Sequence, residues 1–147
     1  MESDGLSIRE IRIGDYEAIV RLWRRAGLTF RQAGRDSKES FKKQIEAQGG
    51  LMFVAEHSGE IIGVAVGSHD SRKGWINRLA VEPSHRNKGV ASALVKTLEV
   101  EFAKLGFPVY SALISGRNKD SISLFNGMGY SCDEDVKYFS KRLGDDL

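Results

Sequence analysis

The chain has 147 residues, 29% of them charged, with a formal net charge of +2 at pH 7, and this length predicts one domain over 1–147 with a sizeable buried core. So small a positive excess does not indicate a nucleic-acid partner, and no apolar run is long enough to span a bilayer, so we expect neither nucleic acid nor a membrane as partner. The start lacks a signal-peptide pattern, Cys132 is the single cysteine, and no Cys/His cluster has metal-ligand spacing, which predicts a cytoplasmic protein without a disulfide or a metal.

The first third of the chain is predicted to hold a strand and two helices. Alternating apolar residues indicate a strand over 6–12. Apolar residues three and four apart indicate a helix over 16–26 that ends at Gly27. A second helix is predicted over 37–47. The polar segment between the helices, 28–38, is expected to be a mobile surface loop that either carries substrate contacts or is a plain connection.

Three strands are predicted next, followed by the longest helix. Apolar runs over 51–56, 61–67 and 75–81, separated by polar turns, indicate an antiparallel meander. Gly63 and Gly67 are expected to weaken the middle strand and to mark a bulge. The helix that follows carries its apolar residues on one face, over a length of about 16 residues.

The last third of the chain is predicted to hold a strand, a helix and a closing strand. A strand over 109–114 follows the long helix, so it is expected to lie parallel to strand 75–81. Asn118 is expected to cap a helix that closes at Gly129. Residues 130–142 are expected to supply a last strand or a tight pair of strands. The order β-α-α-β-β-β-α-β-α-β predicts a mixed sheet of the α/β (α+β) class, antiparallel first and parallel later.

The turn before the long helix carries the strongest chemical signal. It reads Arg86-Asn87-Lys88-Gly89-Val90-Ala91-Ser92. The first amides of a helix have no partner within it, and the helix dipole adds positive charge there, so this turn can hold a phosphate. Gly89 lets a ligand approach the main chain closely. The alternative is a plain turn with a glycine for tightness and two solvated cations.

Two motifs, separated by one helix and one strand, resemble those of the GNAT superfamily of acetyl-CoA-dependent N-acetyltransferases. They are Leu79-Ala80-Val81-x-Pro-x-x-Arg86-x-x-Gly89-x-Ala91 and Asn118-x-x-Ser-x-x-Leu124-Phe125-x-x-Met-Gly129-Tyr130. The resemblance implies the GNAT fold, with a splayed parallel pair of strands. It also implies acetyl-CoA as cosubstrate and no metal.

The resemblance also implies where acetyl-CoA binds. Strand 75–81 ends at a bulge and parts from the next strand, and the pantetheine arm lies in the gap against the main chain of Leu79 and Val81. The amides of 87–92 hold the pyrophosphate, Asn118 meets the cofactor, and Phe125 lies near the sulfur. The cofactor-binding residues implied are Leu79, Ala80, Val81, Arg86, Asn87, Lys88, Gly89, Val90, Ala91, Ser92, Asn118 and Phe125.

Two departures from the family pattern leave the catalytic residues unassigned. Many members have a tyrosine at the position of Phe125, where its hydroxyl protonates the leaving thiolate. Many also carry a glutamate base on one of the two central strands, whereas strand 75–81 has no acidic residue and Leu113 and Ser115 stand on the other. The possible substitutes are His69, Asp70 and Ser121, each of which is otherwise a surface or capping residue.

The leading hypothesis is acetyl transfer from acetyl-CoA to a primary amine of a small molecule or a protein. Arg31 and Arg35 hint at an acceptor that carries a carboxylate or a phosphate. The alternatives are a non-catalytic acyl-CoA-binding sensor or regulatory module, and a plain α/β ligand-binding domain. An exposed sheet edge makes a homodimer plausible.

Overall fold

The computed structural model describes residues 5–145. In that range it contains one five-stranded sheet and four α-helices. The strands are β1 (Leu6–Glu10), β2 (Met52–His57), β3 (Glu60–His69), β4 (Gly74–Val81) and β5 (Tyr110–Ala112). The helices are α1 (Tyr16–Ala26), α2 (Lys38–Gln48), α3 (Val90–Lys104) and α4 (Lys119–Gly127).

The strands lie in the order β1-β2-β3-β4-β5. The first four are antiparallel neighbours, and β5 lies parallel to β4. The parallel pair follows from the connection, because a strand that returns through a helix runs in the same direction as its neighbour. The predicted mixed sheet of the α/β class is therefore confirmed.

Helices cover both faces of the sheet. On one face α3 buries Leu94, Leu98 and Phe102 against the strands. On the other face α1 buries Ile19 and Trp23, and α2 adds a smaller contribution. This double cover explains why β2 and β3 read as continuous apolar runs rather than as alternating ones.

The predicted helix ends agree closely with the structure. Gly27 ends α1 in the left-handed conformation, with φ of 79°. The Ser37 hydroxyl accepts a hydrogen bond from Ser40 N at 3.1 Å and so caps α2. The Asn118 side chain caps α4 in the same way by accepting from Ser121 N. Each of these residues satisfies polar groups that a helix end leaves without a partner.

The prediction of a last strand or strand pair over 130–142 is wrong, because the described residues after α4 form no strand. Val136 and Tyr138 are 65% and 73% exposed, so their alternating pattern buries nothing against the sheet. Asp133 Oδ1 accepts a hydrogen bond from Asp135 N and bends the chain just before them. A strand also needs a partner edge, and β5 has three residues where six were predicted over 109–114.

Two irregularities interrupt the sheet, and both lie beside the glycines that predicted a bulge. Val66 pairs with Arg78 and Gly67 with Ile76, so Asn77 is an extra residue in β4. Beside Gly63, the register between β2 and β3 also shifts by one residue, so Ile62 is an extra residue in β3. A bulge bends its strand and increases the local twist.

Phe102 of α3 packs directly on two glycines of the sheet. A Cβ built on Gly74 would lie 2.5 Å from Phe102 Cγ, and one built on Gly67 would lie 3.2 Å from Phe102 Cζ. Phe102 is 0% exposed, so its ring has no open side into which it could retreat. Because glycine has no side chain at these two positions, α3 can lie close to β3 and β4.

We expect Gly74→Ala to lower the free energy of unfolding by about 1–3 kcal/mol, since the added methyl overpacks the core against Phe102. Urea unfolding measures the change. Gly14→Ala is the control, because Gly14 is exposed and nothing lies within 4 Å of its added Cβ. Equal stabilities of the two variants would contradict the close contact.

Candidate active site

The parallel strands β4 and β5 part soon after they meet. Their pairing covers Gly74 with Tyr110, Trp75 with Ser111, and Ile76 with Ala112. In the described chain the remaining residues of β4, 77–81, have no partner on β5. The extra residue Asn77 lies at the first position beyond the pairing. The expected splay is therefore present, although the bulge lies at its beginning rather than at the end of β4.

The main chain of β4 turns alternately toward β3 and toward this gap. Glu82 N donates to Ile62 O of β3 at 2.7 Å. In an antiparallel pair every second residue directs both polar groups at the partner. Counting back from Glu82, Ala80 faces β3, whereas Val81 and Leu79 direct their N–H and C=O groups into the gap.

Ala80 therefore differs from Leu79 and Val81 in the direction of its main-chain polar groups. It is 3% exposed, and its methyl group packs in the core on the α1 face of the sheet. Its main chain is directed at β3. Of the three strand residues implied in cofactor binding, Leu79 and Val81 have the orientation that an extended ligand in the gap needs, and Ala80 does not.

The first turn of α3 presents main-chain amides without a side-chain cap. Gly89 is the N-cap residue with φ of 82°, and Asn87 also has a positive φ of 62°. The helix ladder begins where Ala93 N donates to Gly89 O at 3.1 Å, so the amides of 90–92 precede it. No acidic side chain lies in this first turn. An anion fits here, because it supplies both the acceptors and the opposite charge that the helix start lacks.

The two cations of this turn differ in their surroundings. Arg86 Nε donates to Val81 O at 3.4 Å and Arg86 Nη2 to Ala26 O at 3.5 Å, so the side chain reaches back toward β4 and the end of α1. Lys88 is exposed beside the uncapped amides. Lys88 is therefore the better placed of the two to meet an anion, while Arg86 links the turn to the rest of the fold.

Phe125 lies in the core rather than on an open surface. It is 5% exposed, and its ring meets that of Tyr130 at a centroid distance of 4.9 Å, edge to face. Tyr130 Oη donates to Glu99 Oε2 of α3 at 2.7 Å. Burial, together with this hydrogen bond, raises the pKa of Tyr130 above its ordinary value. Tyr130 thus ties the end of α4 to α3.

The three possible substitutes for the missing acid and base have structural partners. His69 Nδ1 accepts from Ser71 N, and Asp70 Oδ1 accepts from Arg72 N and Lys73 N. These backbone hydrogen bonds lower the pKa of Asp70. Both residues form the turn before β4, at the opposite end of that strand from the gap. Ser121 lies in the first turn of α4, where its N–H bonds Asn118.

Arg78 is a partly buried cation on β4 that the sequence reasoning missed. Its Nη2 lies 2.8 Å from Asp36 Oδ2, and its Nη1 donates to Thr29 O at 2.9 Å. Its guanidinium lies 4.8 Å from the ring centroid of Trp23. Burial lowers the pKa of Arg78 while Asp36 raises it, and a guanidinium stays protonated in either case. One charge in an apolar strand was the available signal, because a buried charge needs a partner.

The segment between α1 and α2 is held against β4 through this cation. Asp36 also accepts from Arg31 N at 2.6 Å, and Tyr16 Oη donates to Asp36 O at 2.7 Å. Arg31 Nε is buried without a hydrogen-bond partner, whereas Arg35 is exposed. Residues 28–38 were expected to form a mobile surface loop. Hydrogen bonds of Asp36 instead join this segment to Arg78 of β4 and to Tyr16 of α1.

An open pocket of about 450 Å³ lies where the two strands part. Asn77 and Leu113, the first residues beyond the paired segment, both line it. Within residues 5–145, no three His, Cys, Asp or Glu side chains are grouped to hold a metal ion. Over the same range, each helix is too short or too polar to cross a membrane.

The profile of the Acetyltransferase (GNAT) family matches residues 16–130. The chain belongs to this family. An acetyltransferase of Sodalis glossinidius is 30% identical over 141 residues, which are 96% of this chain and 98% of that protein. An acetyltransferase of Pectobacterium atrosepticum has the same identity and coverage.

Solved structures of the family share the fold of this GNAT chain. PaiA N-acetyltransferase from Thermoplasma acidophilum, in complex with coenzyme A, has a TM-score of 0.78 and 18% identity over 88% of this chain and 91% of that one. The aminoglycoside N-acetyltransferase AAC(6')-Iy, in complex with a bisubstrate analogue, has a TM-score of 0.76 and 22% identity over 93% and 98% of the two chains. The two motifs thus identified the family correctly, and acetyl transfer from acetyl-CoA is the reaction that fits it.

We expect Arg78→Ala to lower the free energy of unfolding by about 2 kcal/mol, because it leaves the Asp36 carboxylate partly buried without its cation. Urea unfolding measures the loss, and limited trypsin digestion should show faster cleavage at Arg31 and Arg35. The control is Lys43→Ala, which removes an exposed ion pair with Glu39 and should cost less than about 0.5 kcal/mol. The same small loss in both variants, with unchanged digestion, would rule out this role of Arg78.

Proposed function

We propose that residues 1–147 form one acyltransferase domain, which moves an acetyl group from acetyl-CoA to a primary amine by direct attack in a ternary complex. The observation that carries the proposal is the gap between β4 and β5, which opens beside the uncapped start of α3. One extended ligand with an anionic end matches both features. Membership of the GNAT family supports the same reaction.

The pantetheine arm is proposed to lie in the gap and to bond the main chain of Leu79 and Val81 as an added strand does. The pyrophosphate is proposed to bind the amides of 87–92, with Lys88 adding charge. Asn118 can offer its side-chain NH₂ group from the start of α4, since its oxygen is used in capping. Arg86 and Phe125 are proposed to act indirectly. Arg86 orders the turn before α3, and Phe125 supports α4.

In the proposed step the amine nitrogen bonds to the thioester carbon, the C–S bond breaks, and the thiolate leaves. Negative charge develops on the carbonyl oxygen, and the N–H of Leu79 or Val81 can stabilise it. The protein holds the two reactants together, so no covalent intermediate on the chain is needed. The amine loses its proton through water, since no side chain is assigned as base. No acid is assigned for the thiolate, because Phe125 has no hydroxyl.

The second candidate function is that of a non-catalytic acyl-CoA-binding sensor. It is favoured by the absence of a hydroxyl at Phe125, since such a module needs no general acid. Calorimetric titration with acetyl-CoA, followed by thiol release with amines, separates the two. Binding with thiol release establishes the enzyme. Binding without thiol release from any amine favours the sensor, and no binding overturns both. A homodimer and a cytoplasmic location stay predictions from the sequence.

We expect Gly89→Asp to abolish measurable acetyl-CoA binding, because it puts a side chain and a negative charge at the proposed phosphate site. Gly89→Asn is the matched control, since asparagine has the same shape without the charge and also occurs at a positive φ. The asparagine variant should bind at least about tenfold more tightly than the aspartate variant. Calorimetry measures both, and thermal unfolding checks that both fold. Equal affinities would exclude an anion at this turn.

We expect Phe125→Tyr to leave kcat unchanged or to raise it, since the resemblance to the family implies that the general acid of many members lies at this position. The same change buries a hydroxyl beside Tyr130, which should lower the free energy of unfolding by about 1 kcal/mol. Steady-state thiol release and urea unfolding measure the two quantities. A strong fall in kcat in a stable variant would contradict an acid position at Phe125 and assign the ring to acceptor binding.

A further inference from the structure

The pocket where β4 and β5 part has mostly apolar and aromatic walls. These are formed by Trp75 of β4 and by Leu113, Val136 and Tyr138. Leu113 is 53% exposed and Tyr138 73%. When a ligand covers side chains of this type, the loss of their contact with water favours binding. The pocket therefore suits an apolar or aromatic group.

The charge of the pocket is positive. Its polar lining residues are Ser68, Asn77 and Lys137, with no Asp or Glu among the described residues that line it. Asn77 Nδ2 donates to Ser68 Oγ at 2.8 Å, and neither side chain carries a formal charge. Lys73 Nζ lies 4.3 Å from the ring centroid of Trp75 and adds a second cation nearby. A second ammonium group inside the pocket would thus be repelled by Lys137, with no carboxylate among the described lining residues to offset that charge.

The pocket adjoins the proposed site of the thioester. Asn77 and Leu113 are the first residues beyond the paired part of β4 and β5, and Leu79 lies two positions further along β4. An amine whose apolar group fills the pocket can thus direct its nitrogen toward the gap.

We propose that the acceptor is a primary amine with a single positive charge whose apolar or aromatic group binds between Trp75 and Tyr138. This inference rests on the proposed acetyl-transfer function and adds the chemical class of the acceptor. Polycationic amines are disfavoured, since a like charge at about 6 Å in an effective dielectric of about 40 weakens binding about tenfold.

The test compares hexylamine with 1,6-diaminohexane at saturating acetyl-CoA, because the two differ by one terminal ammonium group. We expect kcat/KM for hexylamine to be about tenfold higher, and 2-phenylethylamine to match hexylamine or exceed it. A diamine acetylated as fast as hexylamine overturns the inference. So does a protein that binds acetyl-CoA but neither acetylates nor binds hexylamine and 2-phenylethylamine. No binding of acetyl-CoA overturns the proposed function itself.

Charge variants test the role of Lys137. We expect Lys137→Glu to shift the ratio of the two kcat/KM values toward the diamine by at least about tenfold, since it replaces a repulsive charge by an attractive one. Lys141→Glu is the matched control, because Lys141 is exposed and does not line the pocket. An equal shift in both variants would show an effect of net charge and contradict a contact in the pocket.

Aromatic variants test the walls. We expect Trp75→Ala to raise KM for 2-phenylethylamine by about tenfold, with the affinity for acetyl-CoA unchanged within about twofold. Phe139→Ala is the control, because Phe139 is 87% exposed next to Tyr138 and does not line the pocket. Unchanged KM in the Trp75 variant would contradict the proposal.

Discussion

The polar main-chain groups of β4 set the constraint on which the site depends. A sheet is stable because each strand satisfies the N–H and C=O groups of its neighbours. Here β5 supplies partners as far as Ile76 and then parts from β4, while β3 stays paired on the other side. The gap therefore exposes a row of donors and acceptors that matches an extended ligand.

Packing on the two faces of the sheet keeps this gap in place. On one face, Phe102 lies on Gly67 and Gly74, so α3 runs close to the strands while its uncapped first turn lies beyond the end of β4. On the other face, Arg78 binds Asp36 and Trp23, which holds residues 28–38 beside the bulge. The two faces of the sheet around the gap are thus held by different hydrophobic clusters.

Local patterns were a good guide wherever the physical cause is itself local. Asn118 caps its helix as predicted, because a cap bonds an amide three residues away. The long helix after Gly89 was predicted from its apolar face. The prediction of a closing strand over 130–142 was wrong, because its alternating residues have no strand edge to pair with and stay exposed. The packing of Phe125 depends on Tyr130, which bonds Glu99 of α3, so no local pattern could predict it. The place of Phe125 near the sulfur stays a prediction.

The sequence by itself determined the class of the fold and the family, since periodicity and two ordered motifs can be read along the chain. It also predicted the turn that can hold an anion, because a helix start is visible in the sequence. The tertiary structure alone decided that Leu79 and Val81 face the gap while Ala80 does not, because this follows from pairing with β3. It also decided that Arg78 meets Asp36, 42 residues away. Such contacts arise when distant segments pack together, and no pattern within one segment records its partner.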